Sequence, residues 1–187
     1  AMIPPPKSFL DFGGGQEGAL TDLVKIEPRN LTEQLPVTNS LPNEIRQRAR
    51  LKALLSRIRR FNDLPLEVQE AISAAARLRH YEAGQVICLE GEPAEAVYIL
   101  EKGWVKATRM SSDGREQAML FLRPVEIFGD IAVFTGMPYP GTVTTLEEVD
   151  VWVIPAQTLL DLVRRYPELA MAVIQRLGER VLHYISL

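Results

Sequence analysis

Residues 81–134, YEAGQVICLEGEPAEAVYILEKGWVKATRMSSDGREQAMLFLRPVEIFGDIAVF, decide the fold. Short runs rich in Val, Ile, Leu, Tyr and Thr alternate with glycine turns at Ala83-Gly84, Glu90-Gly91-Glu92, Lys102-Gly103, Asp113-Gly114 and Phe128-Gly129-Asp130. Glycine tolerates the positive φ that tight turns need, and β-branched and aromatic residues suit a pleated, half-buried surface. Asp113-Gly114 between Lys106–Met110 and Gln117–Leu122 is a hairpin signal. Many short strands punctuated in this way imply an antiparallel barrel, sandwich or roll. The pattern extends over 78–154: Gly136-Met137-Pro138 adds a turn, Val149 to Ile154 reads as the closing strand, and Pro155 ends it.

Helical periods flank this region. Over 44–61, Leu51, Leu54, Leu55 and Ile58 fall at i, i+3, i+4 and i+7, one apolar stripe. The same stretch holds Arg46, Arg48, Arg50, Lys52, Arg57, Arg59 and Arg60, one third of the chain's 21 basic residues. Gln47 and Phe61 are the only amide and aromatic side chains in the stretch, too few to read bases, so this reads as a solvated face rather than a nucleic-acid contact. Asn62, Asp63 and Pro65 signal the start of a second helix, with Leu66, Val68, Ile72 and Ala75 as its buried face. Helical period returns over 156–165 and 167–187, broken at Tyr166-Pro167. In the last helix Ala170, Ile174, Leu177, Val181 and Tyr184 form a stripe that Val173 and Ile185 widen. It runs to the final residue without a stop signal, which suggests a partner helix or a natural chain that continues.

Residues 1–43 differ. Pro4-Pro5-Pro6, Gly13-Gly14-Gly15, Pro28, Pro36 and Pro42 interrupt any element, so a flexible extension or a strap with short apolar anchors is expected. Ala1 before Met2 reads as an added residue. Three segments result: the extension 1–43, entry helices with a β-region over 44–166, and the final helix 167–187.

Composition narrows the function. Of 187 residues, 47% are hydrophobic and 24% charged, which suits a soluble domain with a real core. A net charge of −3 argues against a chain that binds nucleic acid by bulk charge. One cysteine, Cys88, and two histidines, His80 and His183, leave no disulfide, cysteine-held zinc site or iron–sulfur cluster. No metal site, haem or other cofactor is expected, and Cys88 among Val86, Ile87 and Leu89 reads as a buried, inert thiol. Trp104 and Trp152 read as strand core. No nucleophile–base constellation appears, so no catalytic residues are assigned and no enzyme is expected. No apolar run reaches the roughly 18 residues a membrane span needs, and no signal peptide opens the chain, so a cytoplasmic protein without membrane contact is expected.

The order of these segments is similar to a known family. LLSRIRRFNDLPLEVQEAI (54–72) resembles the entry helices, residues 81–134 the β-roll, and DLVRRYPELAMAVIQRLGERV (161–181) the closing helix pair of the cyclic-nucleotide-binding-type sensor domain of bacterial Crp/Fnr-like transcriptional regulators. The resemblance covers residues 51–187. It implies an α+β fold: an antiparallel β-roll, the jelly roll of cyclic-nucleotide-binding domains, flanked by N-terminal helices and a long C-terminal dimerisation helix. It also implies a homodimer through Ala170, Val173, Ile174, Leu177, Val181 and Tyr184. A small effector inside the roll would shift that helix, and DNA would be reached only through a helix-turn-helix domain beyond Leu187.

The resemblance implies a pocket as well. In members that bind a cyclic nucleotide, a Phe-Gly-Glu turn opens a short helix whose glutamate accepts from the ribose. An Arg-Ser/Thr-Ala segment then cradles the phosphate. Phe128-Gly129-Asp130-Ile131-Ala132 matches the turn, with a shorter acid. Tyr139, Pro140 and Gly141 fall on Arg, Ser/Thr and Ala. Tyrosine is uncharged at neutral pH, and proline lacks both hydroxyl and N–H. Losing one side of a buried charge pair costs about 3–5 kcal/mol, or roughly two to four powers of ten in affinity. Arg115, Arg123 and Arg180 are the possible substitutes, each expected to be an exposed charge. The expected function is therefore the sensing and dimerisation part of a Crp/Fnr-like regulator with a degenerate pocket that does not take cyclic AMP. A stand-alone, ligand-free β-roll for protein–protein interaction is the alternative.

Overall fold

A computed structural model describes residues 42–185, with the side chain of Tyr184 outside the description. The N-terminal extension expected over 1–43 lies outside the described residues but for Pro42 and Asn43. Helices α1 (Asn43–Leu55) and α2 (Leu66–Ala75) lead into eight strands and a short helix. The strands are β1 (Arg77–Tyr81), β2 (Val86–Cys88), β3 (Ala96–Lys102), β4 (Val105–Met110), β5 (Glu116–Leu122), β6 (Ile127–Phe128), β7 (Thr142–Thr145) and β8 (Val149–Pro155). Helix α3 (Asp130–Thr135) lies between β6 and β7, and α4 (Ala156–Arg165) and α5 (Pro167–Ile185) follow β8.

The strands form two four-stranded antiparallel sheets, ordered β1-β8-β3-β6 and β2-β7-β4-β5. This is the expected β-roll with flanking helices. The β4–β5 hairpin pairs Met110 with Glu116 across the Asp113-Gly114 turn, as the sequence predicts.

Strand β3 shows how the pattern works. Val97 and Ile99 join a core under α1, α2, α4 and α5, while Ala96, Tyr98 and Leu100 join a second core inside the roll. Side chains of a strand alternate between faces, so a strand buried on both sides reads as a continuous apolar run. Strand β8 repeats this, with Trp152 and Ile154 toward the helices and Val149 and Val151 inward. Full burial of each such side chain is worth about 1.5–3 kcal/mol.

Three expectations are corrected. Helix α1 stops at Leu55 rather than continuing to 61, so Arg57, Arg59 and Arg60 stand on turns. Tight hydrogen-bonded turns there, Ile58 N–H to Leu55 O and Phe61 N–H to Ile58 O at 3.0 Å each, put both apolar side chains into the core. Arg60 takes φ +75 and is held by Glu179 of α5 at 2.7 Å. Leu66 is 60% exposed, whereas Leu64 in the preceding turn is buried in the core. Trp104 is 45% exposed, because it follows Gly103 in the β3–β4 turn and precedes the inward-facing Val105. Trp152 is fully buried, as expected.

Among the described residues no helix is long and apolar enough to cross a membrane. None of their His, Cys, Asp and Glu side chains cluster to hold a metal ion.

Candidate functional site

The turn after β6 builds the site. Phe128 pairs with Tyr98 of β3 in register, and their rings stack at 4.9 Å. Gly129 then turns the chain at φ +79. A Cβ there would lie 2.9 Å from the Ala96 carbonyl oxygen and 3.3 Å from the Tyr139 ring, so the position requires glycine. Helix α3 begins at Asp130 and ends at Thr135, capped by Gly136 at φ +68.

The chain returns through Tyr139, whose backbone N–H donates to Glu92 O and whose carbonyl accepts from Gly91 N–H, both at 2.9 Å. Its side chain is buried. The hydroxyl donates to Ala96 O at 2.8 Å and accepts from Ala96 N–H at 3.0 Å. Burial, the largest influence, holds the phenol above its ordinary pKa. Gly141 is also a close approach: a Cβ would sit 2.7 Å from Thr108 O and 3.2 Å from Met119 Sδ.

Phe128, Gly129, Asp130, Ile131, Ala132, Tyr139, Pro140 and Gly141 all line one cavity of about 100 Å³. The eight residues singled out from the sequence are therefore brought together. Cys88 also lines it, buried, with its thiol pushed up to about 11 by desolvation. Its burial is what the sequence implies.

Asp130 is 4% exposed, and its carboxylate is held by two arginines of α5. Arg176 Nη1 donates to it at 2.6 Å, and Arg176 Nη2 donates to Ile127 O at 3.2 Å. Arg180 Nη1 reaches both Asp130 oxygens, at 3.2 and 3.3 Å. Desolvation lowers the pKa of Arg176, opposed by Asp130. Arg180, expected to be an exposed charge, instead stands half-buried at the cavity wall. Arg115 and Arg123 are exposed, as expected. Arg176 escaped the sequence reading. Its signal lay in the spacing: Leu169, Ala172, Val173, Arg176 and Arg180 share one helix face.

That face also divides the expected dimerisation residues. Val173 packs on the helix-side core. Ile174 and Val181 are exposed, and Ala170 and Leu177 are half-buried between the two faces. Met171, Leu182 and Ile185 are further exposed apolar positions on α5.

Comparison with known proteins agrees with this architecture. The family model for the cyclic nucleotide-binding domain matches residues 78–166. The chain is 31% identical over 123 residues to the global nitrogen regulator of Synechococcus elongatus, covering 64% of this chain and 50% of that protein. It is 29% identical over 101 residues to a CRP-like cAMP-activated global transcriptional regulator of Mycobacterium tuberculosis, covering 54% and 45%. The crystal structure of the N-terminal domain of a transcriptional regulator from Streptomyces coelicolor superposes with a TM-score of 0.60 at 27% identity, covering 71% of this chain and 93% of that one. The chain thus contains a cyclic nucleotide-binding domain. More particularly, it has the Crp/Fnr-type fold, and the proteins it is similar to include transcriptional regulators. It spans about half the length of the curated relatives it matches.

Proposed function

We propose that this chain is the sensing and dimerisation portion of a Crp/Fnr-like transcription factor whose roll does not take a cyclic nucleotide. It performs no catalysis, and it acts on DNA through a domain that follows the described fold. The observation that carries this reading is Tyr139. Where the resemblance calls for an arginine, a buried phenol spends its hydroxyl on the Ala96 backbone. It offers a cyclic phosphate no counter-charge, and Pro140 beside it offers no N–H. The acid of the turn, Asp130, is bound to two arginines and is not presented to a ribose. The exposed apolar residues Ile174 and Val181 of α5 are the surface on which two copies would pair.

Calorimetric titration with cyclic AMP, cyclic GMP and cyclic di-GMP tests the pocket. No heat at high micromolar ligand is the expected result. Saturable binding of any of them would overturn it.

A further inference from the structure

Asp150 of β8 holds two elements at once. Its Oδ1 lies 3.0 Å from Nδ1 of His80 on β1, and its Oδ2 accepts from Arg50 Nη2 of α1 at 2.6 Å. His80 and Asp150 stand directly opposite each other in the β1–β8 register. Among the described residues β1 is an edge strand whose strand partner is β8, so this side-chain pair supplements a single ladder. The attachment of α1 has a second anchor. Arg50 Nε donates to Glu101 Oε1 of β3 at 2.6 Å, and Glu101 Oε2 accepts from Nε1 of the buried Trp152 at 2.7 Å. Of these groups only the imidazole changes charge between about pH 5 and pH 8. It is half-exposed, so solvent can protonate it. Among the described residues, the charged groups that act on it are Asp150, Glu148 at the approach to β8, and Glu82 just beyond β1, with a carboxylate oxygen 3.6 Å from Nε2. Arg50 of α1 and Glu101 of β3 stand across Asp150 from it.

We propose that Asp150 is a pH-operated divider between the β1 edge and helix α1: an imidazolium at His80 shares the carboxylate with Arg50, and a neutral imidazole cedes it to Arg50. The two cations oppose each other across one carboxylate, because each reduces the negative charge the other meets. Below 6.5 the His80 bond is charge-assisted and pins β1 to β8 at full strength. The hydrogen bond to Asp150 holds the folded value above 6.5, and as pH rises through it the bond weakens and β1 loosens. Arg50 then meets a carboxylate with one cation fewer, so α1 is held tighter. The device moves grip from one element to another and does not loosen the fold as a whole. It stands on this geometry and does not depend on what the roll binds.

His80 and His183 are the chain's two histidines, so comparing the full chain with H183Q assigns the imidazole titration of His80 by NMR. R50Q removes the competing cation. Coupling between two sites is reciprocal, so His80 is expected to keep its proton to higher pH in R50Q than in the native chain. D150N removes the shared acceptor, and the His80 midpoint is expected to fall. Circular dichroism checks that both variants fold. Amide hydrogen exchange, corrected for the intrinsic pH dependence of exchange, then reads the two elements. From below 6.5 to above the measured His80 midpoint, residues 77–81 are expected to lose protection while residues 43–55 keep or gain it. H80Q is expected to abolish the change in 77–81. An unmoved His80 midpoint in folded R50Q or D150N overturns the proposal. So does a loss of protection shared by 43–55, or the same change of 77–81 in H80Q. Should R50Q not fold, the exchange comparison between the native chain and H80Q decides by itself.

Discussion

Tyr139 is a structural anchor. Its ring stands against Gly129, and its hydroxyl satisfies both polar backbone groups of Ala96 at the start of β3. Y139F keeps the ring and removes the hydroxyl. Two buried backbone groups then lose their partner, so a loss of about 1–3 kcal/mol is expected in urea unfolding. The position of Tyr139 shortly after the Phe128-Gly129-Asp130 turn was legible in the sequence, because it needed only a turn motif and a short count along the chain. The bond to Ala96 was not, since 43 residues separate the partners. The same holds for Asp130. Its shortened side chain is visible in the sequence, whereas its arginines lie 46 and 50 residues away on α5.

At the scale of elements, ion pairs add to packing in tying both α1 and α5 to the rest of the fold. Arg50 of α1 donates to Glu101 of β3 and Asp150 of β8 at 2.6 Å each, and Trp152 Nε1 donates to Glu101 at 2.7 Å. His80 of β1 completes the group, 3.0 Å from Asp150. The hydrogen bond to Asp150 raises the pKa of His80 above its ordinary 6.5. Desolvation pushes Asp150 up, but hydrogen bonds from His80 and Arg50 outweigh it and leave the carboxyl below its ordinary 3.8.

The sign follows from linkage. The His80 contribution is complete below 6.5 and fades as pH rises through the raised folded value. The Asp150 contribution is present above 3.8 and is lost as pH falls through the lowered folded value. H80Q is therefore expected to flatten the decline of stability as pH rises above 6.5 and leave the acid limb in place, read by thermal unfolding across pH. For α5, Leu169 is fully buried against the helix-side core. L169A is expected to cost about 2–5 kcal/mol in urea unfolding.

For the whole molecule, the described residues leave α5 with one face on the roll and apolar side chains at Ile174 and Val181 in solvent. If two copies pair there, unfolding temperature rises with protein concentration by mass action. I174E is expected to abolish that rise and halve the mass in sedimentation equilibrium, with the monomer still folded. A concentration-independent unfolding temperature in the native chain would remove α5 from the interface. The sequence by itself determined the order of helices and strands, the turn positions, the roll and the amphipathic character of α5. Each of these is set by local spacing and by residues whose backbone preferences act over a few positions. Only the tertiary structure decided which arginine enters the cavity, that Val173 turns inward while Ile174 turns out, and that Leu66 and Trp104 stay in solvent. Those outcomes depend on how distant elements pack. Helical period marks an apolar face without saying what covers it, and an ion pair across 50 residues forms only where the fold removes both partners from water.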